Sequence, residues 1–377
     1  MKRRFALLIA LVFVFAGFAS TASAAMISPT VFYQTEQATV LEGVRKDTYQ
    51  NGLGQTVVQY SGLDSYIDSA LAEKGGSTAS LEVAKKIIKE IEGTDILSSL
   101  PEEYLMEALT YQEATQSISY IKASPDGTLQ YVSEKEMIAE IGEKLDREQL
   151  LASADDGSFE GEWTSDDGYM KLVTTAVRVE SPETSVDDRN HYYIVSAASY
   201  WLIEPTYTYE DVLALSFGSA IYDDSYTDFA RIYELTLCKF CSNFSEMLYD
   251  ETYTANGYEY NDPEGSEHLN IIYPSGGAGI ACRVNFVKFT EDCYHNGYDL
   301  SYIDMMFSYV RSRVYSQGDD FTISSAYSHK WIGLGSIDVS ISVGKGSLGG
   351  SISFSTKVGH TDYWGRPVTV AYNSAIG

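Results

Sequence analysis

Apolar residues recur with two different periods along the chain. In the N-terminal part they recur every three or four positions, and the clearest run consists of Leu81, Ala84, Ile87, Ile88 and Ile91. This spacing places the side chains on one face of a helix, which Gly93 would end. Two further helices are predicted to begin at the Ser-x-x-Glu capping boxes of residues 99–102 and 133–136. The pattern predicts a helix-rich N-terminal region over residues 25–152.

From residue 169 onward the period changes to two. Ile280, Cys282 and Val284 alternate with polar or small residues, and residues 337–343 repeat the alternation. Such alternation is typical of strands with one buried and one wet face, as in antiparallel sheets. Strands are therefore predicted over Tyr169–Val179, His191–Ile203, Asp211–Phe217, Arg231–Cys238, Gly279–Phe286, Met306–Tyr315, Phe321–Tyr327, Ser336–Val343 and Ser351–Val358.

The two patterns together predict an α+β fold. A helix-containing N-terminal part is followed by an antiparallel β-sandwich domain over residues 169–377. Between them, residues 153–168 are acidic and rich in glycine, which predicts a linker. Within the N-terminal part, short strands are predicted at Ile118–Lys122 and Thr128–Val132, joined by a Ser-Pro-Asp-Gly turn.

Residues 1–24 have the three parts of a secretory signal peptide. Lys2, Arg3 and Arg4 precede an apolar run, and Ala22-Ser-Ala24 forms a cleavage site. The alternative is a membrane anchor, but a spanning helix needs about 20 apolar residues, and this run is shorter. The sequence therefore predicts a secreted, extracellular protein that is cleaved after Ala24 and retains no integral membrane helix.

The composition is strongly acidic. The formal net charge is -27, with 53 acidic and 26 basic residues. Because such a surface repels phosphate backbones and anionic lipid heads, nucleic acid is excluded as a partner. A hydrophobic fraction of 44% and an aromatic fraction of 13% predict a folded chain. The 30 tyrosines are common both in strands and on binding surfaces.

Four cysteines are candidates for disulfide bonds, because an even count in an exported chain favours pairing. They are Cys238, Cys241, Cys282 and Cys293, and the sequence does not choose among their pairings. Cys238-Lys-Phe-Cys241 also allows a second hypothesis, a thiol–disulfide enzyme that uses these two thiols. No βαβ pattern flanks this motif, so a structural disulfide is favoured. A zinc site is a weaker third interpretation, since the second cysteine pair has the wrong spacing.

Residues 336–358 predict an amphipathic β-hairpin. One face of each arm is apolar and the other consists mostly of serine and threonine. A membrane-inserting hairpin of a β-pore-forming protein has this pattern, and so has an ordinary sandwich hairpin. A membrane-spanning strand needs about 9–11 residues and each regular arm has about seven or eight, which favours the ordinary hairpin. The G-x-G-x-x-G match at residues 344–349 is interpreted as its loop, because a strand follows where a nucleotide site needs a helix.

Recognisable catalytic and metal-binding motifs are missing from the sequence. H-E-x-x-H and G-x-S-x-G do not occur, and His329, at the end of a predicted strand, is expected to be structural. We therefore expect no catalytic residues, no metal and no cofactor. The main hypothesis is a non-enzymatic interaction protein with an extracellular protein or glycan partner that the sequence does not identify.

Three segments, taken in order, carry a resemblance. They are Trp201-Leu-Ile-Glu-Pro-Thr-Tyr-Thr-Tyr-Glu-Asp-Val212, Gly277-Ala-Gly-Ile-Ala-Cys-Arg-Val-Asn-Phe286 and Ser325-Ala-Tyr-Ser-His329. In this order the chain resembles exported proteins of Gram-positive bacteria that have no assigned activity. The resemblance implies a bacterial source and carries over no catalytic or binding residues.

Overall fold

The computed structural model describes most of the chain between residues 41 and 370. The predicted signal peptide, the predicted linker up to residue 167 and the glycine loop at 344–349 lie outside the described residues. In the part that is described, no helix is long and apolar enough to cross a membrane. The described residues are 41–50, 56–74, 76–97, 100–123, 128–141, 168–182, 189–202, 210–238, 247–256, 269–274, 278–285, 301–317, 320–330, 336–343, 350–355, 360–365 and 367–370.

Short helices occur near the start of the described chain and strands make up most of the rest. The helices are α1 (Leu63–Lys74), α2 (Ser77–Ile91), α3 (Thr94–Leu97) and α4 (Glu102–Met106), followed by a 3-10 turn at Glu107–Thr110, and residues 134–141 are also helical. The strands are β1 (Arg45–Gln50), β2 (Thr56–Ser61), β3 (Tyr111–Ala123), β4 (Leu129–Val132), β5 (Tyr169–Val179), β6 (His191–Trp201), β7 (Glu210–Ser216), β8 (Ile221–Tyr222), β9 (Phe229–Cys238), β10 (Met247–Asn256), β11 (Leu269–Ile272), β12 (Gly279–Asn285), β13 (Ser301–Ser316), β14 (Phe321–Lys330), β15 (Asp338–Val343), β16 (Gly350–Ser355), β17 (His360–Trp364) and β18 (Val368–Val370).

The strands form two large antiparallel sheets and one separate hairpin. Sheet A has the order β1-β2-β3-β5-β6-β13-β9-β10, with β4 beside β3 and β8 beside β13. Sheet B has the order β11-β12-β7-β14-β17, with β18 beside β14. Strands β15 and β16 pair with each other in a two-stranded sheet of their own.

The two sheets face each other, and the helices cover the far side of sheet A. In β5, Val173 and Val177 pack on the helical side, whereas Leu172 and Ala176 pack between the sheets. Both faces of this strand are covered, so it is buried along nearly its whole length. The fold is therefore layered, with helices, sheet A and sheet B in that order.

The predicted fold class is confirmed in its coarser form, as mostly antiparallel sheets in a sandwich-like arrangement with short helices. The topology differs in one respect from a helical part followed by a sandwich. Strands β1 and β2 precede the helices, and β3 pairs with β5 in sheet A. Sheet A therefore runs across the predicted boundary near residue 152. Only part of β3 was evident from its alternation, because it buries the polar residues Gln116, Ser117 and Ser119.

Local predictions in the N-terminal part are confirmed where they are described. Helix α2 buries Ala84, Ile87, Ile88 and Ile91. It ends at Gly93, whose φ of 99° is the left-handed conformation that glycine adopts readily. The predicted capping box at residues 133–136 is also formed, with the Ser133 backbone N–H donating to the Glu136 carboxylate at 2.8 Å.

Candidate functional site

The hairpin β15–β16 is separate from the two large sheets. Its strands pair in register from Asp338 with Ser355 to Val343 with Gly350. Within the described residues, neither strand forms a backbone ladder with sheet A or sheet B. The predicted hairpin is thus confirmed, with strands slightly shorter than the alternation indicated. It forms a fourth layer over the outer face of sheet B.

Side-chain packing joins the hairpin to that face. Strand β15 lies over β12 and β7, and β16 lies over β14 and β7. The apolar side chains of Ile341 and Ile352 are buried there. The face beneath them carries small or medium residues, which let the hairpin approach closely: Val212, Ala214, Ala278, Ala281 and Ala326.

Two glycines make the closest approach between hairpin and sheet. A Cβ placed on Gly350 would collide with the Ser216 hydroxyl and lie 2.9 Å from the Ser216 Cβ. A Cβ placed on Gly279 would lie 2.7 Å from Cδ1 of Ile341. The hairpin therefore fits the face because these two positions lack side chains.

On the apolar side of the hairpin, the Phe354 ring lies beside the indole of Trp364 on β17, with ring centroids 5.9 Å apart.

The opposite face of the hairpin is polar and exposed. The exposed residues on the outward face alternate with the apolar ones and are Asp338, Ser340, Ser342, Ser351, Ser353 and Ser355. The amphipathic pattern predicted from the sequence is thus present in three dimensions.

An ion pair holds the residue that leads into the hairpin. Glu210 Oε1 accepts a hydrogen bond from the Ile337 backbone N–H at 2.6 Å. Arg283 Nη2 donates to the Ile337 carbonyl oxygen at 3.2 Å. Arg283 Nε and Glu210 Oε2 are 3.4 Å apart, and both side chains are mostly buried. One charged pair therefore satisfies both backbone groups of Ile337.

On the other face of β7, Asp211 is the centre of a buried polar network. Its Oδ1 lies 2.9 Å from His329 Nδ1 and accepts from the Lys330 backbone N–H at 3.1 Å. Its Oδ2 accepts from the Tyr327 hydroxyl at 2.6 Å. That hydroxyl in turn accepts from the Trp201 indole N–H at 3.2 Å, which links sheet B to sheet A.

This network has the contacts of a structural element. Burial, and after it the Asp211 carboxylate, raises the pKa of Tyr327 well above its usual value, so the hydroxyl stays protonated as a donor. A nucleophilic triad also needs a serine or cysteine on the histidine. In the described part of the chain, no hydrogen bond joins His329 to such a side chain.

A second buried network joins the helices to sheet A. Arg311 of β13 is fully buried, and its Nη2 donates to Glu107 at 2.7 Å and to the Tyr111 hydroxyl at 3.2 Å. Its Nη1 lies 3.7 Å from Glu92, the C-cap residue that follows α2. A cation at a helix C-terminus also interacts favourably with the helix dipole.

Two tyrosines complete the surroundings of Glu92. The Tyr111 hydroxyl donates to Glu92 Oε1 at 3.0 Å, and the Tyr309 hydroxyl donates to Oε2 at 2.5 Å. Burial raises the pKa of both hydroxyls well above the usual value. The carboxylate is therefore held by two neutral donors and one nearby cation, an arrangement that fixes the helices on the sheet.

Of the predicted disulfide candidates, Cys282 is a free thiol. It lies between the sheets, and burial raises its pKa to about 12, so it carries no reactive thiolate at neutral pH. This corrects the expectation that Cys282 takes part in a disulfide. The side chain of Cys238 and all of Cys241 and Cys293 lie outside the described residues. Their pairing, and the thiol–disulfide hypothesis, stay predictions.

The three segments that carry the sequence resemblance meet in this region. The first supplies Trp201, Glu210 and Asp211, the second supplies Arg283, and the third supplies His329. Sequence reasoning assigned His329 a structural role but did not identify the Glu210–Arg283 pair.

Comparison with known proteins assigns the chain to no family. No protein-family model matches the chain, and no curated protein matches it. Among solved structures, the chain is similar to Clostridium perfringens delta-toxin, with 9% sequence identity over 53% of this chain and 82% of that chain. The TM-score of this match is 0.22, which is too low to carry an argument.

Proposed function

We propose that the chain is an exported, non-enzymatic protein that acts on membranes, and that the β15–β16 hairpin is the part that inserts. The observation that carries the proposal is the separate hairpin itself. Its strands are hydrogen-bonded to each other, its apolar face rests on sheet B, and its serines face outward. In this proposal the helices and the two sheets form the body, and the hairpin is the moving part.

The hairpin is attached to sheet B by few buried side chains. Only Ile341 and Ile352 of the described hairpin strands are buried, and burial of one such side chain contributes about 1.5–3 kcal/mol. An isolated two-stranded hairpin is at best marginally stable in water. A detached hairpin must therefore cover its apolar face again, and a lipid bilayer offers an apolar medium for that face.

The inserted form needs more than one copy of the chain. In the hydrocarbon core each unsatisfied backbone group costs several kcal/mol, so strands cross membranes in closed barrels. Hairpins from several copies would then pair side by side, with the valine and isoleucine face toward lipid and the serine face toward a polar lumen. The structure pairs six residues in each strand, 338–343 with 350–355, so on insertion the strands would have to lengthen within residues 336–358 to reach the 9–11 residues that a spanning strand needs.

The negative charge of the chain indicates which lipids the target membrane contains. A net charge of -27 opposes approach to anionic lipids. Neutral, zwitterionic bilayers are therefore the expected target. Export through the predicted signal peptide would deliver the protein to the outside of its own cell.

Dye release from phosphatidylcholine vesicles tests the proposal. The chain without residues 1–24 is expected to release the dye, with a steep dependence on protein concentration because several copies act together. Two neighbouring positions give matched variants. Val339→Asp puts a carboxylate on the lipid face and is expected to abolish release. Ser340→Asp puts the same charge on the exposed polar face and is expected to retain release.

Two results would overturn the proposal. One is intact vesicles at every protein concentration tested, with a correctly folded chain. The other is equal activity of the Val339→Asp and Ser340→Asp variants, because a lipid-facing charge and a lumen-facing charge cannot be equivalent in a barrel. In either case, a role as an extracellular interaction protein would be the better account.

A further inference from the structure

We infer that the Glu210–Arg283 ion pair is a latch that keeps the hairpin on sheet B. This inference rests on the proposed function, since a latch implies a hairpin that leaves. Glu210 Oε1 accepts from the Ile337 N–H at 2.6 Å, and Arg283 Nη2 donates to the Ile337 carbonyl at 3.2 Å. Both contacts are made to the backbone of the residue that enters β15.

The latch attaches the hairpin by hydrogen bonds to charged side chains, whereas the rest of the attachment is apolar packing. Among the residues that the structure describes, these are the hydrogen bonds between the hairpin segments and the body. The remaining attachment is apolar packing: the side chains of Ile337, Ile341 and Ile352 are buried on a face rich in alanine, and Val339 and Phe354 pack beside them partly buried. Apolar packing is non-directional, whereas a hydrogen bond to a charged group fixes a position and is stronger than a neutral one.

The latch residues stand on two neighbouring strands of sheet B. Glu210 is the first residue of β7, and Arg283 lies on β12, where it pairs with Val212. Both side chains project from the outer face, at the edge of the apolar contact. Residues at this edge can be changed without removing a side chain from the core between the sheets, so the latch can be tested separately from the fold.

The position of the latch sets how the hairpin would detach. Ile337 is buried and directly precedes β15. With the latch broken, its N–H and C=O lose their partners and must be hydrated, which draws the start of β15 off the sheet. The packing of Ile341 would follow, because it is four residues farther along the same strand. Detachment thus begins at residue 337 and proceeds toward the loop.

Backbone hydrogen exchange of the soluble protein, read at β15 and β16, is the direct test. Glu210→Ala removes the acceptor and the ion pair, and is expected to speed exchange of these amides by at least tenfold. Glu210→Gln keeps an acceptor but loses the charge, and is expected to give a smaller increase. Glu140→Gln is the matched control, because it breaks the Lys122–Glu140 pair of 2.7 Å away from the hairpin.

Exchange in β5 and β6 reports whether the body stays folded in each variant. Unchanged exchange of the hairpin in Glu210→Ala, with a folded body, would overturn the latch. Vesicle leakage is then measured on the same variants. Faster hairpin exchange together with faster leakage supports both proposals. Faster hairpin exchange without leakage from any variant supports the latch and contradicts the membrane activity.

Discussion

The carboxylates of Glu210 and Asp211, neighbours on β7, project from opposite faces of the strand. One contacts the hairpin layer, and the other lies in the core between sheets A and B. Glu210 holds the Ile337 backbone N–H at 2.6 Å on the outer face. Asp211 accepts from the Tyr327 hydroxyl at 2.6 Å between the sheets. One strand end therefore supports both the core of the sandwich and the attachment of the hairpin, and the two functions can be separated by substitution.

Asp211→Asn is expected to destabilise the whole protein by about 1–3 kcal/mol. The amide cannot replace a carboxylate that accepts from Tyr327 and the Lys330 N–H while lying against His329. The matched variant is Glu210→Gln, whose side chain lies on the outer face and keeps an oxygen that can accept from the Ile337 N–H, so its unfolding free energy is expected to fall by less than that of Asp211→Asn. Urea unfolding measures both. Equal losses in the two variants would contradict the separation.

Arg311→Met is expected to cost about 3–5 kcal/mol, because it leaves the buried Glu92 carboxylate without its nearby cation. Thermal and urea unfolding report the loss. Arg45→Met is the control, since the Arg45–Asp47 pair is exposed and such pairs contribute little. A loss below about 1 kcal/mol for Arg311→Met would show that the network does not hold the helices on sheet A.

Asp228 gives a prediction about pH. Burial raises its pKa above the ordinary value, although the Tyr222 hydroxyl donates to it at 2.8 Å. A raised folded-state pKa means that ionisation of Asp228 opposes folding at neutral pH, and that this penalty disappears as the pH falls through the raised pKa. Asp228→Asn should therefore gain stability relative to the wild type at pH 7. The gain should shrink as the pH falls toward the ordinary value of an aspartate, and a gain independent of pH would contradict the assignment.

Gly350→Ala is expected to loosen the hairpin without affecting the body. The added methyl group would collide with the Ser216 side chain, so β16 must move away from β7. Hydrogen exchange should speed up in β15 and β16 and stay unchanged in β5. Ser353→Ala, on the exposed face of the same strand, should leave both unchanged. Protection of the hairpin equal to that of the wild type would show that the close approach of Gly350 to Ser216 is not part of the attachment.

Elements made mostly of apolar or strand-favouring residues could be predicted from the sequence, and an element interrupted by several polar residues was predicted only in part. Strand β5 was predicted over its full length, Tyr169–Val179, because apolar residues and threonines, which are common in strands, make up most of it. Strand β3 was predicted only over its last part, because buried Gln116 and Ser117 interrupt the pattern. The hairpin was predicted together with its polar face, since alternation on both arms shows on which side each residue lies.

The charged contacts could not be predicted, because their partners are far apart in sequence. Arg311 meets Glu92 only after β13 has joined a sheet that begins at β1. Glu210 meets Arg283 across two strands of sheet B. With 53 acidic residues in the chain, no local pattern distinguishes these carboxylates from those on the surface. The pairing of strands decides which charges meet, and that pairing depends on the whole fold.

A reversible covalent lock tests most directly whether the hairpin must leave sheet B for the protein to act on a membrane. The Cβ placed on Gly350 lies 2.9 Å from the Ser216 Cβ. A disulfide needs about 3.8 Å between its Cβ atoms, so the hairpin has to shift outward by about 1 Å to accept one. The double variant Ser216→Cys with Gly350→Cys joins β16 to β7 when oxidised and releases it when reduced. The single variant Gly350→Cys controls for oxidation of the native cysteines.

The measurement is the rate of dye release from phosphatidylcholine vesicles by the double variant, oxidised and then reduced in the same sample. We expect the oxidised protein to be inactive and the reduced protein to release dye at least as fast as the wild type. Equal release by the oxidised and reduced forms, with the disulfide confirmed by mass spectrometry, would contradict the claim that the hairpin moves.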